Sequence, residues 1–223
     1  AKQEQPNQER APADDFNQSF YWNASPVISW KNLSSKDDNT YRSSQITALS
    51  NTNYGINLLY GMHFEERLDI YSQYLIESVS FVEDQTINLL KKKTLASRLA
   101  FGIVLDKKWN VELAMNEQFF LTSPSYGSVD IKKVIIPELK GSYSKDFYHY
   151  KQAALIYTLG ASAFLPRTSP DITAKFGYGA GGALEAKLRN QSFKIGFEEN
   201  FLKATSNSTN VQNIYWKYIW EML

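Results

Sequence analysis

Carboxylates and cations recur at alternate positions through much of this chain, and they are the side chains best placed to do chemistry. The acids are Glu112, Glu138, Glu185, Glu198 and Glu221; the bases are Arg98, Lys140, Lys175, Lys187, Lys194 and Lys217. Paired carboxylates can perform the acid and base steps of glycoside hydrolysis. Interleaved opposite charges suit another task better. They neutralise one another in a confined polar interior, where an unpaired charge is costly. A mutually compensating network is therefore expected, and its mixed sign argues against a strongly ion-selective pore.

Other chemistry finds little to build on. There is no cysteine, and the two histidines, His63 and His149, are not spaced as a metal-binding pair, so neither a metal nor a cofactor is expected. The lane Gly177, Gly179, Gly181 is no phosphate cradle, since no helix follows it. Its plain role is to leave room for Lys or Tyr side chains from adjacent strands; the sharper alternative is that it admits a ligand, or the N-terminal tail as a partial plug. With 24 basic against 23 acidic residues, no electrostatic footprint for nucleic acid is present.

The elements that must position these groups are strands. From residue 54 onward one phase is apolar and the other small or polar: Tyr54, Ile56, Leu58, Tyr60, Met62, Phe64 against Gly55, Asn57, Leu59, Gly61, His63. Side chains alternate faces along a strand, so this is period 2. The pattern recurs over 98–105, 109–116, 172–188, 193–198 and 214–222, with less regular strands at 40–50, 68–82, 131–143 and 150–165. A phase switch near Ser78 suggests a bulge, and Pro137, without a ladder donor, suggests a break. Ten strands result.

The polar residues 1–39 are expected to be a tail, periplasmic or a partial plug, apart from short apolar clusters at Phe20–Trp22 and Val27–Trp30. The chain opens on this polar stretch rather than on a signal peptide, as either a mature exported chain or one that starts without such a segment would. Tight polar links at 65–67, 106–108, 145–147 and 189–191 alternate with mostly longer ones at 83–94, 122–130, 166–171 and 204–210.

No apolar run approaches the length of a membrane helix, yet three features point to lipid outside the strands. Glycines gather in the polar phase, where they make room inside a closed barrel. Aromatics gather beside the tight links: Phe64, Trp109, Tyr143, Tyr148, Phe193, Tyr218 and Trp220, as in an interfacial girdle. Glu117 and Glu199, the awkward charges of the apolar phase, fall about 20 Å above the turns, near the edge of an apolar band about 25 Å tall.

The closing strand, with Trp216, Tyr218, Trp220 and Met222 alternating up to the chain end, resembles the C-terminal signature of bacterial outer-membrane proteins. Residues 40–223 as a whole resemble the small outer-membrane β-barrels. That resemblance implies an all-β, closed, antiparallel up-and-down transmembrane barrel of about ten strands, with tight turns and both termini periplasmic and longer loops extracellular. It implies a non-enzymatic role, as a narrow channel or a structural, surface-contact protein. The partners are outer-membrane lipid and, at Lys91–Lys93, lipopolysaccharide phosphates, although an ordinary solvated loop is the plainer reading there; protein partners are not indicated. The alternatives are an outer-membrane hydrolase and a soluble lipocalin-like barrel. The first is disfavoured because His63 and His149 fall at the turn end, whereas known barrel enzymes such as omptin-like proteases work at the outer face.

Overall fold

The computed structural model describes residues 18–37, 45–64, 67–82, 88–89, 93–125, 128–170, 172–189, 191–205 and 207–222. Every regular element among them is a strand. Ten form the wall: β1 (Gln18–Asp37), β3 (Asn53–Phe64), β4 (Leu68–Ser80), β6 (Lys93–Leu105), β7 (Trp109–Ser125), β8 (Ser128–Tyr150), β9 (Ala153–Phe164), β12 (Gly177–Leu188), β13 (Gln191–Lys203) and β14 (Asn207–Met222). Four short ones lie in the connections: β2 (Gln45–Leu49), β5 (Asn88–Leu89), β10 (Arg167–Thr168) and β11 (Thr173–Ala174). Each wall strand pairs antiparallel with its neighbours, and β14 pairs back onto β1. The sheet therefore closes and leaves no edge. Even the shortest wall strands, at 12 residues, exceed the roughly 9–11 that a tilted strand needs to cross a bilayer.

The ten-strand count agrees with the sequence, but the first strand does not. Among its described residues, the segment 40–50 contributes only β2, a short strand on the loop side of β1. The wall strand is β1, inside the segment expected to be a tail. Its residues alternate cleanly: Phe20, Trp22, Pro26 and Trp30 exposed, Asn23, Ser25, Val27, Ser29 and Lys31 buried. The polar phase of β1 looked like a tail because it faces other polar groups in the lumen. Residues 1–17, and with them what remains of the plug idea, lie outside the described residues.

Two further irregularities also resolve differently. No bulge occurs at Ser78, because β4 keeps register with β3 and β6 throughout; Val79 and Phe81 are apolar yet face inward. At Pro137 the ladder to β7 is unbroken. The Pro137 carbonyl accepts from Leu165 N at 2.9 Å, on the edge toward β9. Pairing with β9 begins at the next residue, Glu138, so the missing amide lies beyond the ladder.

The register shift of β8 falls instead between Asp146 and Tyr148, and the turn expected at 145–147 is displaced to Lys151–Gln152. The tight links share one end of the barrel with the start of β1 and the end of β14; this is the turn end. Asp106, Lys107, Lys151 and Arg189 there hold positive φ, the backbone that tight hairpin turns favour. At the loop end, β7 and β8 continue to Ser125 and Ser128, so the long link expected over 122–130 is mostly extended hairpin.

The two surfaces decide which way the apolar phase points. Leu58, Ile70, Phe101, Ile103, Leu113, Leu159, Leu184 and Ile195 are exposed around the outside, Phe101 at 60%. Asn23, Ser25, Asn57, Glu77, Glu112, Glu138 and Asn200 are buried inside. A soluble lipocalin-like barrel has the reverse arrangement.

Candidate lumen site

The lumen side chains reach sideways over glycines. Arg98 on β6 stands opposite Asn116 on β7, and its guanidinium donates to Glu112 Oε2 at 2.5 Å and to Glu138 Oε2 at 2.9 Å. The second contact crosses over β7 to β8. Asn116 Nδ2 also donates to Glu138, at 2.9 Å, while Glu112 Oε1 accepts from Tyr71 Oη at 2.5 Å and from Asn110 Nδ2 at 3.2 Å. Each buried carboxylate thus has a cation and a neutral donor, which a buried ion pair needs to offset its desolvation.

Lys140 on β8 bonds Glu198 on β13 across two intervening strands. Those strands place Gly160 and Gly181 directly opposite each other. A Cβ at Gly181 would come within 2.9 Å of Glu198 Cγ, and one at Gly160 within 3.8 Å of Lys140 Cε. Lys31 on β1 reaches Glu77 on β4 at 2.9 Å in the same way, past Gly55, whose Cβ would meet Glu77 Cγ at 2.7 Å.

Three tyrosines repeat the device. Tyr21 lies opposite Gly61, Tyr71 opposite Gly102 and Tyr215 opposite Gly196. In each pair a Cβ on the glycine would collide with the phenol ring. The glycine leaves the wall bare, and the ring lies flat on it. Gly177 and Gly179 serve the same end for shorter side chains, leaving room for Leu202 and for Asn200 and Ser162 respectively.

Of the expected network, Arg98, Glu112, Glu138, Lys140 and Glu198 meet, and Glu185 lies 3.6 Å from Lys194. Lys187 keeps the lumen phase near the turn end, and Lys217 lines the cavity. Lys175 does not join: it precedes β12, is exposed, and its backbone N bonds Lys203 O. Period 2 cannot mark where a strand begins. The side chain of Glu221 lies outside the described residues. Lys31, Glu77 and the tyrosines escaped the sequence analysis. Lys31 stood in the supposed tail, and Glu77 beside the supposed phase switch.

A cavity of about 270 Å³ runs from Asn110, near the turns, up to Arg98. A smaller one of about 80 Å³ lies above, against Gln118 and Phe119. Beyond that the interior becomes apolar. β6 and β7 stop pairing at Arg98 and Asn116, and the β7–β8 hairpin folds in over the mouth. Gln118, Phe119, Phe120 and Leu121 are all buried, whereas a strand in the wall shows every second side chain to the outside. Phe119, Phe120 and Leu121 pack with Leu33, Val79, Phe81, Ile136, Phe164 and Leu202. At the fork, Glu117 Oε2 accepts from Ser97 N at 2.8 Å and from Ser97 Oγ at 3.0 Å, while Glu117 Oε1 accepts from Lys133 Nζ at 3.2 Å.

Outside, the aromatic girdle is partly assembled. Trp109 is 57% exposed and its ring centroid lies 4.7 Å from that of Tyr143. Tyr148 and Phe193 are exposed, Phe64 and Tyr218 half-buried; the Trp220 side chain lies outside the described residues. Phe20, Trp22 and Tyr60 extend the girdle at the turn end. His63 Nδ1 is 2.6 Å from Asp69 Oδ1 and stacks on Tyr21. Among the described residues, no hydroxyl hydrogen-bonds His63. His149 is exposed.

A closed barrel with an apolar exterior and a charge-paired lumen is a transmembrane β-barrel of the bacterial outer-membrane type. No family model matches the chain, and no curated protein does either. Among solved structures it is similar to an outer membrane channel from Pseudomonas putida F1, at 10% identity and TM-score 0.45, covering 99% of this chain and 100% of that one. It is also similar to Ail, the attachment invasion locus protein of Yersinia pestis, at 14% identity and TM-score 0.29, covering 89% and 99%. A third is OprG from Pseudomonas aeruginosa, at 9% identity and TM-score 0.31, covering 89% and 94%. These likenesses concern the barrel fold.

Proposed function

We propose that this chain is a narrow, non-enzymatic outer-membrane channel, shut at its loop end by the β7–β8 hairpin, with that end facing outward and both termini periplasmic. The observation that carries the proposal is the run of four consecutive buried residues from Gln118 to Leu121. A polar, partly hollow lumen suits passage of small solutes, and an apolar cap over it suits control of that passage. Charge pairing by Arg98, Lys140 and their carboxylates favours weak ion selectivity in the open state. Short turns on the periplasmic side are the rule for such barrels, which orients the molecule. Lys93, at the loop-end start of β6, then stands at the outer face, where its ammonium group would meet lipopolysaccharide phosphates; Lys91 and Lys92 of the expected Lys91–Lys93 site lie outside the described residues.

The test is single-channel recording in planar bilayers. Gln118 and Val134 are directly opposed, so replacing 119–133 by an Asn-Gly turn preserves the hairpin register. The intact barrel should be silent or nearly so, and the shortened one should conduct in discrete steps. A shortened barrel that still shows heat-modifiable migration on gels yet stays silent would favour the structural, surface-contact role instead.

A further inference from the structure

Across three neighbouring strands, Glu185, Lys194 and Lys217 stand in one row: Glu185 opposite Lys194, and Lys194 opposite Lys217. On its other side Lys217 faces Val27 of β1, a buried apolar residue. The row thus holds two ammonium groups and one carboxylate, and it ends where a second carboxylate would be needed. Among the described residues no carboxylate comes within ion-pair distance of Lys217. Its close partner is the Tyr215 ring, whose centroid lies 5.6 Å from Nζ. Glu77 and Glu198 feel its charge, but each is already bonded to another lysine, Lys31 and Lys140 respectively.

Lys194 and Lys217 both line the 270 Å³ cavity. Two adjacent like charges in a confined space repel one another, and the row's one carboxylate, Glu185, is taken by Lys194 at 3.6 Å. Beside it the Lys140–Glu198 pair is complete, and both carboxylates of the Arg98 cluster, Glu112 and Glu138, are held by that guanidinium rather than by Lys217.

We infer that the lumen holds a binding site for a small oxyanion, a carboxylate or phosphate, seated between Lys194 and Lys217 with Tyr215 beside it. The cavity lies below the roughly 300–1,000 Å³ of drug-sized sites, so the occupant is a small solute. Its charge would complete the row as an acid at the position of Val27 would have done. This site does not depend on the barrel conducting.

Titration calorimetry of the full chain in detergent micelles with inorganic phosphate tests it, with chloride at matched ionic strength as the control. The intact protein should bind phosphate saturably at one site. Lys217→Met and Lys194→Met should each weaken binding about tenfold or more, the loss of one charge contact. Lys145→Met, on the exposed side of β8, should leave it unchanged. Heat-modifiable migration establishes that each variant is folded. Absence of saturable binding to the intact protein, or equal binding by folded Lys217→Met, would overturn the assignment. Because no current is recorded, its failure would be distinct from failure of the channel proposal.

Discussion

Between the tight turns and Arg98 the interior is built from charge and hydroxyl, with long side chains lying over glycine. Above Arg98, from Val79 and Phe120 to Leu202, it is built like the core of a soluble protein. The same wall strands pass through both regions. In the lower one, lipid lies outside and polar groups inside, so each strand shows strict alternation. In the upper one, the hairpin lies between other parts of the chain, and both of its faces carry buried apolar side chains, Phe120 and Val134 on one and Phe119, Leu121 and Ile131 on the other. The contrast teaches that period 2 reports a strand's two surroundings rather than the strand itself.

The largest effects should come from deleting one central residue in each region, and the two should separate by readout. Arg98→Ala leaves Glu112 and Glu138 buried without their cation, which costs about 3–5 kcal/mol. Phe120→Ala opens a hole in the apolar cap and costs a similar amount, about 3–5 kcal/mol. Urea unfolding in liposomes would measure both losses. Conductance should distinguish them. Phe120→Ala should open the mouth and raise open probability, while Arg98→Ala should keep the mouth shut and favour cations in whatever current leaks. Current of equal frequency and selectivity in both variants would erase the distinction between the regions.

How much of this was legible in the sequence follows the same division. The lower wall could be read from Tyr54 onward, because Leu58 and Phe101 face lipid while Asn57 and Arg98 face the lumen. Five of the charges that meet, Arg98, Glu112, Glu138, Lys140 and Glu198, were found by phase alone. β1 was missed although Phe20, Trp22, Pro26 and Trp30 alternate with Asn23, Ser25 and Ser29, because its polar composition outweighed its pattern. The cap was not legible. Gln118–Leu121 looks like a strand tip entering a loop, and nothing local tells a chain that it will fold over the tube it helped to build. The phase switch read at Ser78 was a trace of that cap, since Val79 and Phe81 turn inward to meet it.

A smaller effect should come from the glycines, again differing by place. Gly102→Val would drive branched carbons into the Tyr71 ring, and overpacking of this kind costs about 1–3 kcal/mol. Because Tyr71 also donates to Glu112, displacing it loosens the charge layer as well. Gly182→Ala, on the opposite phase, meets nothing closer than 3.4 Å and should be tolerated. Unfolding midpoints of the two variants that coincide would show that the bare wall under Tyr71 is not needed.

The smallest effect lies at the turn end, outside both interiors. Lys151 holds φ of 52° between Tyr150 and Gln152, a left-handed conformation that crowds a Cβ against its own carbonyl. Glycine adopts that conformation without the clash but gives up more freedom on folding, so the two terms partly cancel. Lys151→Gly should therefore stabilise the barrel by only about 0.5–1 kcal/mol, read as a modest rise in the urea midpoint. Current and phosphate binding should not change, because the turn touches neither the cap nor the lumen row. A shift in either would mean that strain at the turns is transmitted up the wall, and the two interiors would then have to be treated as one mechanical unit.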